Sequence, residues 1–374
     1  IALRVFTVIL LFTIILSRIS AQSNTFLTVI GGERNEEGQS IIQTRDGGFA
    51  IAGYTESFGE GNKDVYIIKL DKSGNLQWTK TIGGKKDDEG YSIVQTSDGD
   101  FVIAGYTKSF GEGGSDVFII KIDSVGKLQW AKTVGTKYDD IGVSITQAKD
   151  GGFAIAGSTA IPYEENDSLI CAYVIKLDKH GNVQWTKAIY KGMQMEMVGT
   201  SITHTGDNGL VMLGGIAYYR LPIIIRPIPD SSLLGSILEY DLCSDFCLVC
   251  CFGCAGPFFI GDVDMILIKL DSNGNVEWNK TIGGITENTP YSFIQTGDEG
   301  FAITGNTLPL FYLISFLSDR KLGSDVYVAK LNKKGYLQWA KTIGGREEDE
   351  GYSILQTKDG GFVITGFTSS YGHD

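Results

Sequence analysis

Acidic residues recur at intervals along this sequence, each time in a short loop of the same kind. They are the side chains best suited to chemistry. Paired carboxylates supply the acid and the base or nucleophile of glycoside cleavage, and carboxylate oxygens are also the ligands that Ca²⁺ prefers. Because similar runs recur along the chain, solvation of a repeated loop is the simpler interpretation, since a catalytic pair should be confined to one or two repeats. We therefore predict no catalytic residue and treat these acids as a candidate ligand-binding rim: Asp87, Asp88, Glu89, Asp139, Asp140, Glu347, Glu348 and Asp349.

Cysteines form a second cluster of reactive side chains. Five of the six lie close together in the sequence, and the sixth stands apart: Cys243, Cys247, Cys250, Cys251, Cys254 and Cys171. In an exported chain such crowding favours disulfides that tie down a loop with no core of its own. Two Cys-x-x-Cys spacings leave a metal knot open, although structural zinc sites normally use two well-separated pairs. We predict disulfides from all six and assign no metal.

Other kinds of chemistry lack the residues they need. The three histidines are His180, His204 and His373, and none is spaced with a serine or cysteine as a nucleophile pair. No glycine-rich phosphate loop precedes a helix pattern. The formal net charge is −12, and the lysines are dispersed rather than massed. The sequence therefore argues against a nucleic-acid partner, and it predicts no cofactor apart from Ca²⁺ on the acidic rim.

A repeat of about 52 residues positions all of these side chains. The segment IGGERNEEGQSIIQTRDGGFAIAGYT returns as IGGKKDDEGYSIVQTSDGDFVIAGYT, and all five tryptophans occupy one repeat position. A period of this length that is rich in strand signals is typical of radial or stacked repetition. The repeats span 30–81, 82–133, 134–188, 189–281, 282–342 and 343–374.

Each repeat contains four short strand patterns, which we call A to D. In the second repeat they cover 90–96, 100–107, 116–123 and 128–135. Asp-Gly turns join A to B, and Asp-x-x-Gly turns join C to D, because glycine accepts the positive φ of a tight turn. Strand C is almost continuously apolar, which indicates burial on both faces. We predict an all-β fold of four-stranded antiparallel blades, a β-propeller; a solenoid is the alternative, but its repeats are usually shorter.

The two ends of the chain predict how the ring closes. NTFLTVIGG (24–32) aligns with LQWTKTIGG (76–84), which places Phe26 in the tryptophan position. The last repeat supplies only strands A and B. We therefore predict six blades, the last one incomplete and closed by the N-terminal strand.

The pattern Asp71-x-x-Gly-Asn-x-x-Trp78 resembles the tryptophan-docking repeat of quinoprotein-like propellers. The whole unit is similar to tandem repeats of about 52 residues in secreted and surface proteins of archaea and bacteria. The resemblance covers 24–374 apart from the insertions, and it implies the fold and an extracellular setting. It implies no cofactor, because quinone chemistry needs ligands that this chain does not present.

Two further features bear on location and partners. Residues 1–21 have the charged start, apolar core and small-residue end of an export signal, which leaves 22–374 as one secreted or cell-surface domain.

The B–C loops of blades 3 to 5 carry insertions at 160–171, 216–262 and 308–323. We expect these insertions to form an apolar cap on the face that carries the D–A loops. The alternative is that they are neutral insertions in a loop that tolerates them. Its candidate contact residues are Phe258, Phe259, Phe311 and Tyr312.

Taken together, these features predict a monomeric, non-enzymatic binding scaffold. Its partner would be an extracellular protein or a glycan, with peripheral membrane contact through the apolar cap. The alternative is a glycan hydrolase that uses two rim carboxylates. A quinone-dependent oxidoreductase is a more distant alternative.

Overall fold

The computed structural model describes residues 27–164, 167–189, 195–219, 261–283, 288–308 and 323–370. Within these ranges every regular element is a β-strand, and no helix occurs. The strands form five four-stranded sheets and one two-stranded sheet, each of them antiparallel and ordered along the chain. The predicted all-β fold of repeated four-stranded antiparallel sheets is confirmed.

The strand bounds follow the repeat. The first sheet contains β1 (Glu36–Gln43), β2 (Phe49–Thr55), β3 (Asp64–Leu70) and β4 (Leu76–Ile82). The second contains β5 (Asp88–Gln95), β6 (Phe101–Thr107), β7 (Asp116–Ile122) and β8 (Leu128–Val134). The third contains β9 (Asp140–Gln147), β10 (Phe153–Glu164), β11 (Asp167–Leu177) and β12 (Val183–Ile189). The fourth contains β13 (Met195–His204), β14 (Leu210–Tyr219), β15 (Gly261–Leu270) and β16 (Val276–Ile282). The fifth contains β17 (Asn288–Gln295), β18 (Phe301–Thr307), β19 (Asp325–Leu331) and β20 (Leu337–Ile343), and the sixth contains β21 (Asp349–Gln356) and β22 (Phe362–Thr368).

The turns have the geometry that their residues predict. Gly99 in the A–B turn and Gly126 in the C–D turn of the second sheet have φ values of 96° and 84°, which side chains other than glycine rarely adopt. The fourth and fifth sheets place Asn208 and Glu299 at the corresponding A–B position, also with positive φ. The C–D turn keeps its glycine in all five four-stranded sheets.

A buried lysine of strand C fastens each A–B turn to its own sheet. Lys176 Nζ lies 2.7 Å from Asp150 Oδ2 and 3.0 Å from the carbonyl oxygen of Leu177. The same ion pair occurs in each four-stranded sheet: Lys69–Asp46, Lys121–Asp98, Lys176–Asp150, Lys269–Asp207 and Lys330–Asp298. These lysines therefore complete the fold, because the aliphatic stem is buried and the ammonium group finds acceptors.

Neighbouring sheets pack face to face through apolar side chains. The junction of the first two sheets buries Ile67 of β3 against Phe101 and Ile120 of the second sheet. Strand A of each sheet packs on strand A of the next, whereas strand D packs chiefly on its own strand C. Strands A therefore converge and strands D diverge, which is the arrangement of propeller blades.

One tryptophan completes each of these junctions. A Cβ on Gly126 would lie 3.1 Å from Cε3 of Trp78, so the indole of the first sheet rests on the C–D turn of the second. The same contact joins Trp130 to Gly181, Trp185 to Gly274 and Trp278 to Gly335. A tryptophan therefore rests on the C–D turn of the next sheet at four successive junctions.

The segment before β1 partly fills the place of a preceding strand D. Ile30 packs against Tyr66 and Ile68, as Ile82 packs in the next junction. Thr28 Oγ1 also donates a hydrogen bond to the Gly74 carbonyl at 2.7 Å. Residues 27–32 form no strand, however, and within the described ranges β22 pairs only with β21. The predicted ring is therefore not closed by hydrogen bonds.

Candidate functional site

The D–A and B–C loops lie together on one face of the sheets. The backbone N–H of Asp88 donates to the Lys63 carbonyl at 2.8 Å, and that of Asp140 donates to the Ser115 carbonyl at 2.7 Å. Because these bonds join the loops of successive sheets, they form a continuous surface there. We call it the loop face.

The aspartate that begins strand A is buried beneath the loop face. Asp88 and Asp140 are both 0% exposed. Asp88 Oδ2 accepts hydrogen bonds from Gly84 N and Ser109 Oγ, both at 2.7 Å, and Asp349 makes the equivalent bonds in the sixth sheet. These carboxylates therefore hold the loops in shape, and a ligand on the surface would not reach them.

The remaining candidate acids of the rim lie nearer to solvent. Asp87 forms an ion pair with Lys108 at 3.2 Å, and Asp139 accepts a hydrogen bond from Ser115 N at 2.7 Å. Glu347 and Glu348 are exposed, whereas Glu89 is buried. The rim predicted from the sequence is thus divided into buried structural acids and accessible ones.

Each buried aspartate meets a second aspartate from strand C of the preceding sheet. A Cβ on Gly135 would overlap Asp116 Oδ1 and lie 3.0 Å from Asp140 Oδ2. Burial, reinforced by the charge of Asp140, raises the pKa of Asp116 to about 6. The pairs Asp64–Asp88 and Asp325–Asp349 repeat the arrangement, and burial likewise raises the pKa of Asp64 and of Asp325. A carboxylate pair that recurs in this way beneath the loops is a structural device rather than a catalytic centre.

An apolar pair replaces the two acids between the third and fourth sheets. Cys171 pairs with Thr159 as Asp116 pairs with Thr107, and Met197 of the next strand A occupies the position of Asp88 and Asp140. Both side chains are buried. Neither acid of the pair is therefore present at this junction.

Within the described residues Cys171 forms no disulfide, and its thiol is buried. Its Sγ donates to the Leu169 carbonyl at 3.6 Å, and burial raises its pKa to about 11. The other five cysteines lie outside the described residues, as do Phe258, Phe259, Phe311 and Tyr312 of the predicted cap. The predicted disulfides and cap contacts therefore stay predictions.

A cluster of tyrosine and glutamate side chains lies at the ends of strands A and B beside the loop face. Glu89 Oε1 is 2.8 Å from Lys63 Nζ and accepts a hydrogen bond from Tyr106 OH at 2.9 Å. Tyr54 OH donates to Glu37 Oε2 at 3.0 Å, and Lys63 Nζ lies 4.0 Å from the centre of the Tyr54 ring. These residues and Tyr91 form the tyrosine–glutamate cluster, which joins the first two sheets.

Burial raises the pKa of Tyr91 and of Tyr106, and Glu89 adds to the effect in both. Both phenols therefore stay protonated at neutral pH and act as hydrogen-bond donors. Their rings lie 5.8 Å apart. Tyr54, Tyr106 and Glu89 are buried, whereas Tyr91 is half-buried and Glu37 is exposed, so these last two form the accessible part of the cluster.

Related residues lie at the other end of the row of sheets. The rings of Tyr291 and Tyr352 lie 5.3 Å apart, and Asn306 Nδ2 donates to Glu350 Oε1 at 3.4 Å. The third and fourth sheets have small or apolar residues at the corresponding places, namely Ile141, Val143, Ser158, Val198, Thr200 and Gly215. Tyrosine and glutamate are therefore confined to the outer sheets of the row.

Most of this cluster was not predicted from the sequence, because the acidic loops gave the stronger signal. The signal was present at the start of strand A, where Glu-Gly-Tyr-Ser at 89–92 and 350–353 contrasts with Ile-Gly-Val-Ser at 141–144. Only Glu89 was among the predicted site residues.

No group of three or more His, Cys, Asp or Glu side chains within the described ranges is placed to hold a metal ion. The same part of the chain contains no helix of the length and hydropathy that a membrane span needs.

Comparisons with known proteins support the fold. No protein-family model matches the chain. A segment of 203 residues, 51% of the chain, is 30% identical to regulatory protein FlaEY of Caulobacter vibrioides, and it spans only 21% of that protein's length.

Two solved structures superpose with a TM-score of 0.50. One is a protein of unknown function from Dyadobacter fermentans, 12% identical, with 88% of this chain and 89% of that chain covered. The other is an ulvan lyase, a polysaccharide lyase, 8% identical, with 91% and 79% covered. At this level of identity the likeness shows a propeller-like all-β fold and nothing about activity.

Proposed function

We propose that the chain is an exported, non-enzymatic binding module that recognises an extracellular glycan on its loop face. The observation that carries the proposal is the accessible part of the tyrosine–glutamate cluster, Tyr91 and Glu37, which its buried members hold in place. Aromatic rings provide rigid, amphipathic contact surface, and carboxylates and phenols accept and donate the hydrogen bonds that sugar hydroxyls need. A scaffold function needs a distinctive surface on a rigid frame, and this cluster is what distinguishes the outer sheets from the inner ones.

We also propose that the sheets form a six-bladed ring and that the repeat belongs to the quinoprotein-like family. Both points are supported by the tryptophan contacts at successive junctions and by Ile30, which packs as a strand D residue would. In a six-bladed ring the last sheet would lie beside the first, so the tyrosines of the two ends would line one mouth. Cross-links between Lys358 and Lys72 in the monomer are expected if the ring closes, and their absence would contradict closure.

Binding is tested on a glycan array, followed by calorimetry with the best ligand. Tyr91→Ala and Glu37→Gln should each weaken binding at least about tenfold, since each removes a contact of the cluster. Tyr336→Ala is the matched control, because Tyr336 is 55% exposed at a C–D turn on the opposite face. Equal loss in the control, or binding to no glycan, would contradict the proposal.

A glycan-active enzyme is the second candidate, because the cluster contains two carboxylates, Glu37 and Glu89. The buried aspartate pairs do not favour it, since they recur and are closed to solvent. Incubation with a panel of polysaccharides should release no product. Turnover that disappears in Glu37→Gln or Glu89→Gln alone would establish the enzyme instead.

A further inference from the structure

The junction of the first two sheets shows how this fold holds an ammonium group. Lys63 Nζ lies 2.8 Å from Glu89 Oε1 and 4.0 Å from the centre of the Tyr54 ring. Tyr106 OH donates to the same carboxylate oxygen at 2.9 Å. A carboxylate and the face of an aromatic ring are both favourable partners for a cation. The chain therefore contains its own example of an ammonium group bound at the start of strand A.

The junction of the fifth and sixth sheets has the carboxylate of this arrangement without the lysine. Glu350 corresponds to Glu89, because each follows the aspartate that begins strand A. The N–H of that aspartate donates to the residue before strand C of the preceding sheet, which is Lys63 in the first sheet and Ser324 in the fifth. Within the described ranges Glu350 forms no ion pair. A serine thus stands where the first junction has its lysine.

Two tyrosines and an asparagine contact the Glu350 carboxylate. Tyr291 OH donates to Oε2 at 3.5 Å, and Asn306 Nδ2 donates to Oε1 at 3.4 Å. The ring of Tyr352 lies 5.3 Å from that of Tyr291, and a hydrogen bond with Glu350 raises the pKa of Tyr352. The two measured bonds are long, so both carboxylate oxygens can still accept a shorter, charge-assisted hydrogen bond.

Smaller side chains leave more room at this junction than at the first. Asn306 occupies the place of Tyr54 in the register of strands B and C. Ser324 is likewise smaller than Lys63. Glu350 is consequently half-buried, whereas its counterpart in the second sheet is buried. A group of the size of an ammonium ion can therefore reach the carboxylate from the loop face.

These contacts describe a site for a cation that a ligand supplies. We propose that Glu350, Tyr291, Tyr352 and Asn306 form an ammonium site, which binds the free amino group of a hexosamine in an extracellular glycan. The inference rests on the proposed glycan binding and names the class of glycan, an amino sugar that is not acetylated. Its ammonium group would bond to the carboxylate as the lysine does in the first junction.

The groups around the carboxylate favour a sugar over a lysine side chain. A hexosamine carries hydroxyl groups beside its amino group, and the phenols of Tyr291 and Tyr352 and the amide of Asn306 can form hydrogen bonds with them. A lysine has only methylene groups next to its ammonium. The segment 346–350 contains one arginine and four acids. This negative charge disfavours glycans that carry uronic acids or sulfate groups.

The test compares two oligosaccharides that differ only at the amino group. A tetramer of glucosamine and its N-acetylated counterpart are titrated into the full chain by calorimetry at about pH 5.5, where the free amino groups are protonated. The wild type should bind the amino form about tenfold more tightly, as expected for one hydrogen bond between charged groups. Equal affinity for the two tetramers would overturn the inference and leave glycan binding intact. Binding of no glycan at all would contradict the proposed function itself.

Two isosteric substitutions locate the preference. Glu350→Gln should abolish it and change the affinity for the N-acetylated tetramer less than about twofold. Glu348→Gln is the matched control, because Glu348 is exposed in the same loop and its substitution removes the same charge. It should keep most of the preference for the amino form. Equal effects of the two variants would indicate general electrostatic attraction and would overturn the site.

Ser324→Lys provides the converse test. The new ammonium group should pair with Glu350 as Lys63 pairs with Glu89, and the preference for the amino tetramer should disappear. Because Ser324 is buried, the melting curve of this variant is measured first, and Glu350→Gln decides the question if the variant does not fold. A folded Ser324→Lys variant that keeps the wild-type preference would contradict the shared geometry.

The same measurements distinguish other sources of an ammonium group. A lysine-rich peptide that binds through Glu350, while no glycan binds, would identify a protein partner and overturn the amino sugar. Residues 309–322 lie outside the described residues and include Arg320 and Lys321. If replacing both with methionine created a preference that the wild type lacks, the chain's own cations would fill the site and the proposal would be wrong.

Discussion

Asp116 and Asp140 belong to neighbouring sheets, and both carboxylates reach the space above Gly135. Asp140 Oδ2 accepts hydrogen bonds from Thr136 N and Thr136 Oγ1 at 2.6 and 2.9 Å. Its other oxygen, Oδ1, is buried and has no hydrogen-bond partner within the described residues. The pair therefore concentrates negative charge at a junction where water is excluded, and this has consequences for stability.

Stability should fall as the pH rises from about 4 to about 7. Burial and Asp140 raise the pKa of Asp116 to about 6 in the folded chain, whereas an unfolded aspartate titrates near about 3.9. The folded state thus binds the proton more tightly, and this contribution is present at low pH and lost as the pH passes the folded pKa. The difference corresponds to about 3 kcal/mol at most. Urea unfolding at a series of pH values measures it.

Asp116→Asn should remove most of this pH dependence and raise the free energy of unfolding at pH 7. Asp139→Asn is the matched control, since Asp139 is exposed and neighbours the same pair. If Asp116→Asn is less stable than wild type at pH 7 and its stability depends on pH as the wild type's does, the charge of Asp116 does not destabilise the fold.

A second group of carboxylates acts in the opposite direction below about pH 4. Hydrogen bonds from threonine, with help from the strand C lysines, lower the pKa of Asp46, Asp207 and Asp298 to about 2. Their contribution is present above the unfolded pKa and is lost as the pH falls towards 2. We therefore expect maximal stability between the two ranges, near pH 4 to 5. A maximum at neutral pH would contradict this balance.

Gly126→Ala should destabilise the chain more than Gly99→Ala. Both glycines have positive φ, so alanine adds backbone strain of about 1 kcal/mol at either position. A Cβ on Gly99 meets nothing within 4 Å, whereas a Cβ on Gly126 would lie 3.1 Å from Trp78. The additional cost of about 1–3 kcal/mol measures the tryptophan contact. Equal losses in chemical denaturation would indicate that the contact contributes little.

Lys176→Met should cost more than Asp150→Asn. The lysine is buried, and its removal leaves the Leu177 carbonyl without this donor, at about 2 kcal/mol. The carboxylate of Asp150 is half-exposed, so water replaces the lost interaction and the cost stays below about 1 kcal/mol. Thermal unfolding of the two variants compares them, and the reverse order would be inconsistent with a buried anchoring lysine.

Cys171→Asp should destabilise the junction of the third and fourth sheets by about 3 kcal/mol or more, because it buries a carboxylate beside Met197. Adding Met197→Asn should recover part of this loss. The precedent is the next junction, where Asp264 and Asn288 occupy the same two positions. A cycle of the two single variants and the double variant gives the coupling, and strictly additive losses would show that the positions do not interact.

The repeat predicted the sheets because every strand C and every glycine of the C–D turns follows it. Lys69 and Asp46 are far apart in the sequence, and the structure shows that the same lysine–aspartate pair recurs in each four-stranded sheet. The burial of Asp88 could not be predicted from the sequence, because an acid in a polar loop is normally solvated. Only the structure shows that Gly83, Gly84 and Ser109 enclose its carboxylate. The tyrosine–glutamate cluster could not be predicted either, because its residues come together only where the ends of particular strands meet in the folded chain.

The contact of Trp78 with Gly126 has a consequence for how such chains grow. Four successive junctions use the same indole and the same turn, so a unit duplicated within the gene carries both halves of an interface that already matches its neighbours. Copy number can then change without compensating substitutions, and sequence divergence is free to accumulate at the rim, where one unit differs from the next.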